Sequence, residues 1–111
     1  MWHIVYPVKA QIMIKRIVIM EVQPGHEAAF FDTFELVKKE IRAQDGCLGL
    51  EVLQGRHHDH VTLCTISLWS DEGALENYRS SQLFRKTWST VKPLFAKKAQ
   101  AWTLTPIESI A

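Results

Sequence analysis

The sequence predicts an α+β domain: one four-stranded antiparallel sheet with two helices on a single face, in the order β-α-β-β-α-β. Three observations predict it. Two apolar stripes, Phe30-Phe34-Val37-Ile41 and Phe84-Trp88-Val91-Phe95, recur at i, i+4, i+7 and i+11, the spacing of a helix face turned to a core. Two stop-and-start signals, Pro24-Gly25-His26-Glu27 and Trp69-Ser70-Asp71-Glu72, each end an apolar strand and open a helix. Between them, two strand-like runs are joined by too few residues to hold a crossover, so they pair as an antiparallel hairpin.

The first strand is expected over residues 11–22, where Ile17, Val18 and Ile19 form the densest β-branched run before Pro24-Gly25 stops it. A helix follows from 27 to about 43. Asp32, Glu35, Lys39 and Arg42 take its wet side, with Glu35 and Lys39 in the favourable i, i+4 order, and Asp45-Gly46 turns the chain. Leu48, Leu50 and Val52 alternate with Gly49, Glu51 and Leu53 as a half-buried strand; residues 55–60 form its loop and 61–69 the next strand. Ser70 is the expected N-cap of a short helix to about Tyr78, with Asp71 and Glu72 in its first turn. Ser80 or Ser81 caps a second helical segment, which Pro93 kinks or ends near Val91. Residues 99–105 alternate around Ala101 and Thr103 as a final strand that Pro106 stops. The whole is the ferredoxin-like, split βαβ arrangement. Residues 1–11 lack a clear period and form an N-terminal extension, 12–106 the domain and 107–111 a C-terminal tail.

Two helices cover one face of a sheet. The near-continuous apolar strands 14–22 and 61–69 make the other face apolar as well, and pairing two sheets face to face is the expected way to remove it from water. At about 25 cal/mol per Å² of apolar area, roughly a few hundred Å² per protomer yields several kcal/mol before association costs.

The bulk numbers bound the rest. A chain of 111 residues with 47% hydrophobic content supports one domain and one modest core. Thirteen basic and twelve acidic residues give a formal charge of +1, without the concentrated basic field of a nucleic-acid binder. One asymmetry stands out: residues 77–107 carry Arg79, Arg85, Lys86, Lys92, Lys97 and Lys98 with no acid, either solvated helix faces or an anion-attracting rim. Cys47 and Cys64 form no CxxC pair and are expected as reduced thiols. No apolar run approaches a membrane span and no cleavage pattern follows the apolar start, so a cytoplasmic protein is expected.

Three stretches carry a family resemblance: VQPGHEAAF at 22–30, the Gly46-Cys47-Leu48 strand entry, and WSDEGALENYRSSQLF at 69–84. With Trp69, Ala74-Leu75 and Ser81 in place, residues 12–106 resemble the antibiotic-biosynthesis monooxygenase superfamily, small proteins of the dimeric α+β barrel type. The resemblance implies a homodimer. It also implies a small apolar or aromatic ligand and, for the oxygenases among its members, molecular oxygen as co-substrate with no cofactor. Many members place a histidine nine residues after the strand-ending tryptophan; here that position is Tyr78, which keeps a ring and a donor but is no base at neutral pH. The haem-degrading branch departs at its functional positions. Its ligand histidine falls at or near Trp88, its distorting tryptophan near Tyr78, and its strand-one asparagine near Val18. Tryptophan does not ligate iron, which argues against that chemistry.

What the resemblance leaves is cofactor-free oxygenation of an electron-rich aromatic, quinol or polyphenol. The protein is expected to supply an apolar pocket, a group accepting the substrate proton, and donors for the developing oxyanion. Trp69, Tyr78, Phe84 and Trp88 are the candidate walls, with Tyr78 orienting a phenol and Arg79 stabilising an anion from the rim. Core packing and surface charge are the alternatives for these same residues. His26 is expected as a cap-region residue and not a base. His57, His58, Asp59 and His60 are the densest polar cluster, but adjacent residues of one loop rarely aim at a single ion, so a solvated turn and no metal site is expected. The rival function is a non-catalytic dimer that binds a small ligand or serves as an accessory domain. An open cavity beside Trp69 and Tyr78 favours the enzyme; a filled core there favours the rival.

Overall fold

Side-chain alternation along the first strand sets the architecture. β1 (Ile14–Val22) buries Ile14, Arg16, Val18, Met20 and Val22 and turns Lys15, Ile17, Ile19 and Glu21 the other way. The computed structural model describes residues 13–56, 60–108 and 110; the N-terminal extension and the loop residues His57, His58 and Asp59 lie outside them. β1 is flanked by β3 (Val61–Trp69) and β4 (Gln100–Leu104), and β2 (Cys47–Arg56) pairs with the outer side of β3. The sheet order is β2-β3-β1-β4, all antiparallel, as a split βαβ fold requires. Helices α1 (Glu27–Arg42), α2 (Glu72–Arg79) and α3 (Gln82–Val91) pack on one face, followed by a single 3₁₀ turn over Lys92–Leu94.

Local chemistry explains the boundaries and the departures from expectation. Gly46 adopts φ +80, and a Cβ there would run into Ala74 and Ser70, so the chain can enter β2 beneath the start of α2 only with glycine. A bulge between Cys47 and Gly49 puts Leu48 out of phase: Cys47 is buried opposite Trp69, and Leu48, expected inside, is exposed. β2 also runs to Arg56, into the expected loop. Asp71, not Ser70, caps α2, its carboxylate accepting from Ala74 N–H at 2.7 Å, while Ser70 N–H donates to Gly46 C=O at 2.8 Å. Glu35 accepts from Lys38 at 2.6 Å, one residue short of the expected Lys39 partner. Pro93 sits in the 3₁₀ turn that ends α3 at Val91, as its missing N–H demands.

The core divides in two. One cluster gathers Val18, Met20, Val22, Phe30, Val61, Leu63, Val91 and Phe95; the other gathers Ile14, Ile41, Cys47, Trp69, Leu75 and Tyr78. Among the described residues, the opposite sheet face carries no helix. Across it Ile66, Ile17 and Trp102 stand in one row, Leu53, Cys64 and Ile19 in the next, and Leu68 and Leu104 on either side of Lys15 in a third.

Candidate functional site: a polar seam under an aromatic wall

The division of the core has a cause in the sheet. On its helix-facing side the central row runs Leu50, Ser67, Arg16, Thr103 across β2, β3, β1 and β4. Beside it lies the row Val52, Thr65, Val18, Ala101. Ser67, Arg16 and Thr65 therefore form a polar seam between two apolar patches. Above this seam lies a cavity of about 80 Å³, partly open to solvent. Its helix side is walled by Tyr78 from α2 and by Phe84, Thr87 and Trp88 from α3.

One serine fixes the wall. Ser81 sits at the corner between α2 and α3, donates from its hydroxyl to Tyr78 C=O at 2.6 Å and accepts from Phe84 N–H at 3.1 Å. The rings then brace one another. Trp69 stacks on Tyr78 at 5.0 Å, Tyr78 meets Phe84 edge-on at 5.3 Å, and Phe84 stacks on Trp88 at 6.1 Å. Such pairs contribute roughly 0.5–1.5 kcal/mol each beyond their buried area.

The electrostatics centre on Arg16. It is 9% exposed, and its guanidinium lies 5.9 Å from the centre of the Phe84 ring. Among the described residues no side chain or carbonyl accepts a hydrogen bond from it and no carboxylate pairs with it. Burial pulls its pKa below the ordinary value and Arg79 adds to this, with Tyr78 and Glu76 opposing. Arginine stays protonated in proteins nonetheless. Its guanidinium nitrogens keep contact with solvent through the open side of the cavity, and the cation–π contact contributes about 0.5–1 kcal/mol. The Tyr78 phenol is pushed up to about 12, first by burial and also by Cys47, against the pull of Arg16. It is a neutral donor at pH 7. Ser67 accepts from Trp69 Nε1–H at 2.9 Å, which leaves its own hydroxyl proton to donate.

Of the residues expected at the site, the structure brings Tyr78, Phe84 and Trp88 together around the cavity. Trp69 is 0% exposed and is not on the lining; it backs Tyr78 and holds Ser67. Arg79 is outside the lining too, at the surface, 3.5 Å from Glu76. His26 caps α1 through its backbone without a side-chain cap bond. Sequence reasoning missed Arg16, Ser67 and Thr65. A signal existed: Lys15 and Glu21 share one parity of β1, so Ile14, Val18, Met20 and Val22 define the inner face, and Arg16 has their parity. Among the described residues, the cavity lining contains no carboxylate and no histidine. Among the described residues no group of three His, Cys, Asp or Glu is placed to hold a metal ion, and no helix is long and apolar enough to cross a membrane.

With this geometry in hand, the likeness to known proteins is decisive for family. The family model described as antibiotic biosynthesis monooxygenase matches residues 13–88. The chain belongs to the antibiotic biosynthesis monooxygenase family. Among solved structures, it is similar to a protein of Methanosarcina mazei Go1 (TM-score 0.80, 18% identity, 87% of this chain and 95% of that one). It is also similar to a candidate antibiotic biosynthesis monooxygenase of Caulobacter crescentus CB15, with TM-score 0.77, 22% identity and coverage of 91% of this chain and 95% of that one. A variant of SnoaB, a cofactor-independent oxygenase of Streptomyces nogalater, aligns with TM-score 0.77, 16% identity and coverage of 89% and 97%. At these identities the structures establish the family's fold in this chain. No curated protein matches in sequence.

Proposed function

We propose that this antibiotic biosynthesis monooxygenase family member is a cofactor-independent monooxygenase of a small aromatic, quinol or polyphenol substrate, acting as a cytoplasmic homodimer. The observation that carries the reading is the partly open cavity whose aromatic wall faces a polar seam. A phenol bound there loses two hydrogens, gains one oxygen atom from O₂ and leaves as a quinone, while the second oxygen atom leaves as water. The substrate supplies all four electrons, so the reaction needs no external reductant. Phe84 and Trp88 hold the ring. Tyr78 and Ser67 donate to its oxygen, and Arg16 balances the negative charge that builds up as the substrate gives electrons to oxygen. Trp69 supports Tyr78 from behind, and Arg79 adds positive charge from outside. The homodimer would cover the apolar sheet face, and two free thiols, Cys47 and Cys64, suit a reducing compartment.

One observation favours a second reading, a non-catalytic dimer that holds a small ligand: among the described residues, none on the lining is a base at neutral pH. Oxygen uptake separates the two. With a panel of quinols and polyphenols the enzyme reading expects one O₂ consumed per quinone formed, above the rate of autoxidation. Tight binding with no uptake beyond autoxidation for any of them would leave the binding protein.

A further inference from the structure

Among the described residues, the cavity lining holds one charged side chain, Arg16, and no acid. Arg16 is fixed in the middle of the sheet, with β3 on one side and β4 on the other. It presents five N–H donors, and among the described residues none of them has a partner. The charged groups that influence it are Arg79, of the same sign, and Glu76, which is itself paired with Arg79. Tyr78, a polar group of the wall beside Thr87, is neutral at ordinary pH and has a hydroxyl proton to donate. Ser67 accepts one bond from Trp69 and keeps its hydroxyl proton to donate. The hydroxyls of the seam can donate or accept, Arg16 can only donate, and the one charge on the lining is positive. The helix that supplies Phe84 and Trp88 carries Arg85 and Lys86 and no acid.

We propose that the cavity selects a single-ring aromatic oxyanion and that Arg16 is the residue that selects it. The inference rests on the foregoing reading only for the cavity being the ligand site. Charge follows from Arg16. Because the lining offers no base, a phenol must arrive ionised or ionise against Arg16 with its proton passing to water; a carboxylate arrives ionised already. Size follows from volume: about 80 Å³ is less than the roughly 150 Å³ that encloses benzene, so there is no room for more than one ring, and even that ring is enclosed only in part, with its remainder in the open mouth. The planar fork of the guanidinium suits either oxyanion, and Trp88 lies on the same lining as an apolar neighbour for the ring.

The test is equilibrium binding under argon, where turnover plays no part, so its failure is separate from failure of the oxygenase reading. Benzoate and its neutral isostere benzamide are compared by calorimetry. 4-Nitrophenol, whose phenolate absorbs visible light, reports ionisation in the site. The expected result is at least a tenfold preference for benzoate over benzamide, a lowered titration midpoint for bound 4-nitrophenol, or both. Arg16→Gln abolishes the effect and Arg16→Lys keeps part of it. An effect with benzoate alone marks the carboxylate as the ligand group; an effect with nitrophenol alone marks the phenolate. Circular dichroism and a melting curve on Arg16→Gln confirm folding, which loss of a buried charge should not impair. If that variant does unfold, Arg16→Lys and Arg16→Met take its place. Equal affinity for benzoate and benzamide with no nitrophenol shift overturns the proposal. So does a preference that survives Arg16→Gln or disappears instead with Arg79→Gln, and so does absence of binding of all three probes at millimolar concentration.

Discussion

Tyr78 shows how environment decides what a residue can do. Its phenol stands at about 12 in the fold against an ordinary 10, so the folded state favours the neutral form. That preference contributes stability in full below pH 10, and the contribution is lost as pH rises through 12. Two units correspond to about 3 kcal/mol. Unfolding free energy measured from pH 9 to 12 should therefore fall more steeply in the native protein than in Tyr78→Phe, and parallel curves would show that the hydroxyl is not buried in this way. In catalysis the same substitution should slow turnover about two- to tenfold, the value of one hydrogen bond of roughly 0.5–1.5 kcal/mol specific to the transition state. A thousandfold loss with the fold intact would make Tyr78 central to the chemistry. Arg16 was the residue least visible in the sequence. In the run IKRIVIMEV the β-branched density points to a strand, and only the parity of its ends tells which residues face the helices. Trp69 was the reverse case: a conspicuous motif residue whose bulk fills the core beside the site.

At the scale of elements, the corner between α2 and α3 decides the shape of the wall, because Ser81 joins the residue that ends one helix to the ring that begins the next. Ser81→Ala removes an N-cap and should lower stability by about 1–2 kcal/mol, read as a shift of the urea midpoint at fixed protein concentration. Ser81→Asp restores the acceptor for Phe84 N–H but has no proton for Tyr78 C=O, so it should recover part of the loss; full recovery would mean that the bond to Tyr78 is idle. The element order, the turns and the second cap were legible because proline, glycine and serine act through local backbone chemistry. The bulge at Cys47 and the choice of Asp71 over Ser70 were not. Both depend on how β2 fits under α2 at Gly46, a contact between segments far apart in sequence. The cavity was legible only as three of its rings, since it exists where two core clusters fail to meet.

For the whole molecule, the sheet face that no described helix covers is the apolar surface to account for. Trp102 at 46%, Leu53 at 47% and Leu104 at 43% exposure flank the partly covered Ile17, Ile19, Ile66 and Leu68. Sedimentation at micromolar concentration should give a dimer, and Ile17→Asp together with Ile66→Asp should give a folded monomer; a native protein that sediments as a monomer would refute the sheet-to-sheet pairing and the barrel with it. The order of strands has a further consequence, for the life of the chain before it is folded. Ile19 pairs with Cys64 and with Gln100, so the strand made first is the one that must wait for partners made last. On the ribosome, the apolar stretch from Ile17 to Met20 emerges with no edge to join until β3 appears, and stays open on its other edge until β4 does. Such a segment invites pairing with other nascent chains. Lys15 and Arg16 stand immediately before it and interrupt the run with charge, as gatekeepers do. A single arginine would then guard the unfinished chain from its neighbours and, once the helices close over it, become the charge at the heart of the finished one.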